Sequence, residues 1–410
     1  MAWSWIRRKD PEGVFGASST AEEVTAGADA WGLVAVVTGG TSGLGLETLK
    51  TLALRGVRVF LAARNMERAA EVRAEILLKL PAGKIDLLQI DLSSLLSVRR
   101  AAEEFLSLNI PLNLLVNNAG MTTNKFRLTK DGIEEQFATN YLGPYLFTQL
   151  LLNKMKATAS ECGREGRIVN LSSMAHKSSY KMGMSFKTLR TSDGYDWLAS
   201  YGQSKLAVVL HTKELSKRLQ DEGANVTINS VDPGAISTNL LREVGTAIKL
   251  FSAVYVGLLG KDISCGAATQ CYVSLNPAVN GVSGEYFEDC KTMAEAEGSR
   301  NRRGQKRKSP EEAQYMEKVR ERMTHLELEN KFLEERVKIL EAEVREHRLK
   351  YNDLKRDLRW SEEALERERK ALAEDQTWKK LAEDILVKQR ILLDEKKAWR
   401  RSQRDAAEGS

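Results

Sequence analysis

The chain is poor in the residues that build disulfide frameworks and metal centres. Its 410 residues include four cysteines (Cys162, Cys265, Cys271 and Cys290) with no Cys-x-x-Cys spacing, and no paired histidines. That set excludes a zinc-ligand pattern, predicts no metal, and fits a reducing compartment. No stretch reaches the ~20 apolar residues of a membrane-spanning helix. The longest candidate, residues 250–260, is about half that length. It reads either as a buried helix or substrate lid, or as a lid that dips into a membrane to admit an apolar substrate. The N-terminus lacks the apolar core of a secretory signal. Its Trp3, Trp5 and Arg7-Arg8-Lys9 read either as a contact for an anionic membrane surface or as a disordered leader. The net charge is only +6, and glycine and proline are missing altogether from residues 311–408.

What is present begins with the apolar, β-branched run Leu33–Val37, which predicts a buried parallel strand. It leads into Thr38-Gly39-Gly40-Thr41-Ser42-Gly43-Leu44-Gly45, and residues 46–53 then carry helical spacing. Strand, glycine-rich turn and helix N-terminus are the context of a nucleotide loop. Free N–H groups and the helix dipole there attract a pyrophosphate. Gly39 would permit the tight turn, Gly43 the approach of the phosphates, and Gly45 the close packing of helix on strand.

Further on, Tyr201 and Lys205 stand four residues apart in Ser200-Tyr-Gly-Gln-Ser-Lys205. On a helix these positions share a face. A cation beside a phenol lowers its pKa and predicts a usable acid/base near neutral pH. The same spacing on any helix carries no chemistry, so the surrounding motifs decide.

Those motifs appear in order. Asn117-Asn118-Ala119-Gly120 follows the apolar run Leu112–Val116; Asn140 lies in Phe137-Ala-Thr-Asn-Tyr-Leu-Gly143; Ser173 ends Ile168-Val-Asn-Leu-Ser-Ser173; Pro233-Gly234 follows Val231-Asp232, with Thr238 shortly after. With a T-G-x-x-x-G-x-G loop at their head, residues of roughly 30–290 resemble the short-chain dehydrogenase/reductase family. The resemblance implies an α/β fold, a doubly wound parallel Rossmann sheet with helices on both faces.

It also implies a catalytic tetrad of Asn140, Ser173, Tyr201 and Lys205. Tyr201 would protonate a carbonyl oxygen or deprotonate a hydroxyl. Lys205 would hold the nicotinamide ribose and lower the Tyr201 pKa. Ser173 would bind the substrate oxygen, with Ser172 as its competitor for that role. Asn140 would hold, through its carbonyl, a water that joins Lys205 to solvent. The second strand, Val57–Ala63, ends at Arg64-Asn65 with no carboxylate to accept a ribose hydroxyl. Arg64 offers a fork suited to a phosphate, so NADP is the expected cofactor, with NADPH preferred over NADH and Ser42 as a second phosphate ligand. Asp91 would meet the adenine, Asn118 and Ala119 the adenosine, and Thr238 the carboxamide. Thr41, Leu44, Asn65, Leu92, Gly120, Pro233 and Gly234 complete the implied cofactor set.

Within the family, Thr129–Asn140 and Ser172-Ser-Met-Ala-His176 resemble the retinol-dehydrogenase-like branch. Ser19–Thr25 and Gly281–Phe287 resemble plant members associated with the import translocon of the chloroplast inner envelope. That implies a plant protein peripheral to that membrane, with a cytoplasmic site as the alternative, and with the translocon and calmodulin as partners. Two departures stand out: Tyr141, Pro144 and Tyr145 replace frequent histidines, and Asp232 precedes Pro233 where histidine is common.

The chain exceeds the ~250–300 residues such a fold needs. The expected organisation is a leader over 1–28, the Rossmann domain over 29–290, a basic linker over 291–311 and a coiled-coil helix over 312–400. Met316, Val319, Met323, Leu326, Asn330, Leu333, Val337, Leu340, Val344, His347, Tyr351, Leu354 and Leu358 alternate steps of three and four, a heptad seam. Asn330 at an a position favours two strands in register, which fits a parallel homodimer and leaves a heteromeric partner or a single long surface helix open; the expected homodimer forms through the tail, the Rossmann domain or both. The linker's Arg and Lys residues also suit nuclear import or nucleic acid. Gly304 and Pro310, however, interrupt the continuous basic helix of a zipper-type DNA binder. The two functional readings are an NADPH-dependent reductase of an apolar carbonyl or alcohol, and a cofactor-sensing scaffold with little turnover of its own.

Overall fold

The computed structural model describes residues 15–181, 183–236 and 261–293, together with much of 346–401. The chain divides into two compact units, Met1–Lys306 and Arg307–Ser410.

The first unit is built on one sheet. Strands β1 (Val34–Thr38), β2 (Arg58–Ala63), β3 (Lys84–Gln89), β4 (Leu114–Asn117), β5 (Gly166–Leu171), β6 (Val226–Asp232), β7 (Tyr286–Glu288) and β8 (Lys291–Thr292) lie in the order 3-2-1-4-5-6-7-8. All neighbours are parallel except β7 and β8. Parallel strands must be joined by crossovers, and the helices α2 (Gly43–Leu54), α3 (Met66–Lys79), α4 (Leu95–Ser107), the short α5 (Glu135–Phe137) with α6 (Gly143–Cys162), and α7 (Trp197–Asp221) supply those between β1 and β6.

Because side chains alternate along a strand, each strand feeds both faces. Ala35, Val37, Val59 and Leu61 pack with Leu49 and Leu52 of α2 and Val72 and Ile76 of α3. Val34, Val36, Phe60 and Ala62 pack on the other face with Phe105 of α4, Phe147 and Leu151 of α6 and Leu215 of α7. Every residue of β1 is buried, as a strand covered on both faces requires. The expected doubly wound sheet is the observed one.

The leader expected over 1–28 meets a correction. The helix α1 (Ala21–Val24) is closed by a capping box between Thr20 and Glu23. Ala21 and Val24 are buried against Ala267, Ala268, Cys271 and Cys290. Asn276 Nδ2 donates to the Val24 carbonyl at 2.8 Å, and Arg55 Nε to Thr25 Oγ1 at 3.1 Å. Two apolar residues in one short turn are too weak a sequence signal to announce this docking.

In the second unit, residues 359–371, 376–381 and 383–398 are helical and exposed, including Trp360, Trp378, Leu381 and Ile385. All the heptad-seam residues named above, and the 250–260 run, lie outside the described residues.

Candidate active site

The winding of the sheet reverses between β1 and β4, the place where open α/β sheets bind ligands at their carboxyl edge. β1 ends at Thr38, whose Oγ1 accepts the N–H groups of Asn118 and Ala119, each at 3.1 Å. Asn118 Nδ2 returns a bond to the Thr38 carbonyl at 2.9 Å. The two strand ends are thereby locked together. Gly39 (φ +71°) and Gly43 (φ +55°) take the left-handed conformation that glycine holds cheaply. A Cβ on Gly45 would overlap Asn118 Nδ2 and the Gly39 carbonyl, so the third glycine lets α2 start against the strand ends.

Ser42 at the N-cap of α2 makes no side-chain capping bond, and the first turn holds no acidic residue. Its leading N–H groups therefore stay available to an anion. Arg64, just past β2, is exposed and makes no hydrogen bond or ion pair among the described residues. The glycine cradle and the free cation together fit a dinucleotide carrying an extra phosphate. Asn65 caps α3 through Arg68 N at 2.9 Å. Asp91 Oδ1 accepts from Ser93 N (3.0 Å) and Oγ (2.7 Å). Gly234 holds φ +79°. Thr238 lies outside the described residues.

The four expected catalytic residues converge from three elements. Tyr201 and Lys205 share the buried face of α7, whose N-cap Asp196 accepts from Ala199 N at 2.6 Å. Lys205 Nζ donates to the Leu171 carbonyl at 2.9 Å and lies 5.8 Å from the Tyr201 ring centroid. Ser173 Oγ accepts from Ala175 N at 3.2 Å and favours the charged form of the Tyr201 phenol, whereas Ser172 Oγ donates to the Lys205 carbonyl at 3.0 Å. The first serine braces the helix and the second faces the phenol. Asn140 sits in a π-helical turn, Ala138–Leu142, an irregularity common at functional sites. Its side chain accepts from Met121 N (2.7 Å) and donates to Met121 O (2.9 Å) and Ser204 Oγ (3.0 Å). With the side chain fully used, its backbone carbonyl is what remains for another partner.

The electrostatics correct one expectation. Burial, not Lys205, dominates the Tyr201 phenol and pushes its pKa above the ordinary tyrosine range; Ser173 opposes this, and the charge of Asp232 adds to it. Burial also pulls Lys205 down to about 8, with Asp232 opposing. A low-dielectric interior disfavours both charged forms, and the ammonium is aimed at the Leu171 carbonyl.

Several residues around the site were given no role by the sequence. Asp232, 3% exposed, accepts from Tyr286 O–H at 2.9 Å and from Gly234 N at 2.8 Å. His176 packs at a tilt against Tyr286, with centroids 4.9 Å apart. The buried Glu134 accepts from Gln136 N (3.1 Å), Phe137 N (2.8 Å) and Tyr195 O–H (3.1 Å), pinning two loops at the rim. Desolvation raises its pKa. Where relatives were expected to carry histidines, Tyr141 and Tyr145 pack on His211 of α7. Met174, Phe186 and Leu198, on the segment flanking Tyr201, are 53%, 59% and 47% exposed.

Residues 33–249 match the family model described as short chain dehydrogenase. Short-chain dehydrogenase TIC 32 B, chloroplastic, of Brassica napus is 52% identical over 276 residues, covering 67% of this chain and 86% of that protein. Retinol dehydrogenase 13 of Mus musculus is 39% identical over 272 residues, covering 64% and 77%. The solved Pseudomonas aeruginosa RhlG/NADP active-site complex matches with a TM-score of 0.50 at 25% identity, over 63% of this chain and 94% of that one.

Proposed function

The chain belongs to the short chain dehydrogenase family, and on that premise we propose that it is an NADP(H)-dependent oxidoreductase of an apolar carbonyl or alcohol. The observation that supports this is that Tyr201 and Lys205 share the buried face of α7, Asn140 bonds Ser204 on the same helix, and the N-terminus of α2 is uncapped. The nicotinamide, when bound, supplies the hydride. Tyr201 gives its proton to the carbonyl oxygen in reduction, or takes the hydroxyl proton in oxidation. Ser173 donates to the same oxygen and stabilises the charge that develops on it. Lys205 holds the ribose hydroxyls, and the Asn140 carbonyl holds the water that renews its proton.

Gly39, Gly43, Gly45 and the α2 N-terminus would cradle the pyrophosphate. Arg64 would take the ribose phosphate, which supports NADPH over NADH, and the NADP named in the Pseudomonas complex agrees. Asp91, Asn118 and Ala119 would line the adenosine. Exposed apolar side chains on the segment flanking Tyr201 (Met174, Phe186, Leu198) support an apolar substrate, as does the retinol named for the mouse relative.

The chloroplast location named for the Brassica relative supports a chloroplast site for this chain, peripheral to the inner envelope and near the import translocon. Among the described residues, no helix is long and apolar enough to cross a membrane. Calmodulin binding and homodimerisation belong to the same reading.

The test is NADPH oxidation against a panel of aldehydes, ketones and quinones. Turnover is expected with apolar carbonyls. Tyr201→Phe should lower it by about 10²–10⁴-fold while leaving NADPH affinity unchanged. Tight NADPH binding without turnover on any carbonyl would favour the scaffold reading instead.

A further inference from the structure

We propose that Gln136 is a positioning residue for Tyr201: together with Asn140 it forms a pair of amide clamps that hold the backbone of the catalytic tyrosine from both sides. For its chemistry this rests on the oxidoreductase reading of the same site.

Gln136 lies in the short α5 and is 0% exposed. Its Oε1 accepts from Thr122 Oγ1 at 2.9 Å and from Thr123 N at 3.2 Å. Its Nε2 donates to Tyr195 Oη at 2.9 Å and to the Trp197 carbonyl at 3.1 Å. Only one orientation of the amide fits, because the Thr123 N–H can only donate and the Trp197 carbonyl can only accept. Every donor and acceptor of the side chain is then used. Glu134 holds this amide in place. Its carboxylate accepts from the N–H groups of Gln136 and Phe137, at 3.1 and 2.8 Å, and from the Tyr195 hydroxyl at 3.1 Å.

The far ends of the two clamps meet at Tyr201. Trp197 opens α7, and an α-helix directs the carbonyl of residue 197 toward the N–H of residue 201. Gln136 therefore binds the acceptor that faces the Tyr201 N–H. On the other side, Ser204 Oγ donates to the Tyr201 carbonyl at 2.7 Å and accepts from Asn140 Nδ2 at 3.0 Å. The near ends share one segment as well. Asn140 makes two bonds to Met121, and Gln136 makes its two to Thr122 and Thr123. Residues 121–123 are thus tied to α7 at two points, one on each side of Tyr201.

This matters because proton transfer from the phenol to a carbonyl oxygen needs exact placement. A misplacement of about 1 Å can cost about 10²-fold in rate. Gln136 touches no reacting atom. It acts through the first turn of α7, which sets where the Tyr201 side chain starts.

The test uses the full chain and Gln136→Met, which keeps the length and removes all four side-chain hydrogen bonds. Hydrogen exchange of the free protein reads the clamp without cofactor or substrate. Exchange is expected to rise together in residues 121–123 and 197–201 while β1 keeps its protection. Unchanged exchange at residues 197–201 overturns the proposal. With NADPH deuterated at the nicotinamide C4 and an apolar aldehyde, kcat per cofactor-binding site should fall by about tenfold to a hundredfold. NADPH affinity should not change, and the primary isotope effect should be at least as large as the parent's, which places the loss in the hydride step. A lower melting temperature with a parental kcat per site would show a merely structural amide and overturn the proposal. Should Gln136→Met fail to fold, Thr122→Val and Thr122→Ser decide, since the first removes a donor to Gln136 and the second keeps it. The valine variant should lose about threefold to tenfold in kcat, and the serine variant should recover most of it. Equal values for the two overturn the proposal. A parent chain that binds NADPH yet reduces no carbonyl sinks the oxidoreductase reading, whereas hydrogen exchange judges the clamp without it.

Discussion

At Lys205 and Arg64 the same charge does opposite kinds of work. Lys205 is buried, and its pKa falls from 10.5 to about 8. Between those two values the unfolded chain binds more protons than the folded one, so stability rises with pH across that window. Below about 8 the full cost of burying the ammonium is present. Lys205→Met should therefore abolish turnover yet melt no lower than the parent at pH 7, with any advantage shrinking as the pH approaches 10.5. Melting curves at pH 7 and pH 10 check this, and an equal loss of stability at both would contradict it. Arg64, by contrast, is exposed and free among the described residues. Its value lies only in what it binds. Arg64→Asp should raise the apparent constant for NADPH by about tenfold to a hundredfold, the worth of a charge-assisted contact. The constant for NADH should move far less. Equal shifts for the two cofactors would remove Arg64 from the phosphate site.

The elements decide where those residues can stand. The junction of β1, β4 and α2 is tightly packed: Thr38 Oγ1 serves two N–H groups, and Gly45 leaves no room for a methyl group. A Gly45→Ala change forces either the helix or the Asn118 side chain to move. Overpacking of this kind costs about 1–3 kcal/mol. The expected outcome is a measurable drop in melting temperature together with weaker NADPH binding, read by calorimetry and by cofactor fluorescence. An alanine variant with parental values in both would mean that the junction is looser than its geometry. The π-helical turn at Ala138–Leu142 plays a parallel part, since it holds Asn140, whose side chain ties Met121 to α7.

For the whole molecule, the sheet, both of its packed faces and all four catalytic candidates lie in the unit that ends at Lys306. A chain ending at residue 298 should thus keep its fold and its NADPH oxidation. The long helical segments in the second unit, with their exposed tryptophans and aliphatic side chains, are expected to change association instead. Sedimentation of the full and shortened chains checks this. If the coiled coil dimerises the protein, the shortened form loses mass by more than the missing residues account for. A shortened chain that unfolds would show that the tail is part of the domain's stability.

Much of this was legible from local pattern. The β-branched run before Thr38, the glycine spacing and the ordered motifs determine the Rossmann sheet, the nucleotide loop and the identity of the four catalytic candidates, because each depends on neighbours close in sequence or on a recurring signature. Arg64 could be named for the same reason, since it ends a strand at a known distance from the loop. The docking of residues 20–25 on residues 267–290 could not, because no short-range signal links segments so far apart. Nor could the proton affinities of the pair. Tyr201 and Lys205 at four residues' spacing suggested a phenol eased toward ionisation. Only the tertiary structure decides that burial dominates the phenol, and that Asp232, Tyr286 and His176, drawn from three separate elements, join in one contact chain. Spacing along a helix fixes which groups share a face, whereas desolvation depends on everything the fold packs over them.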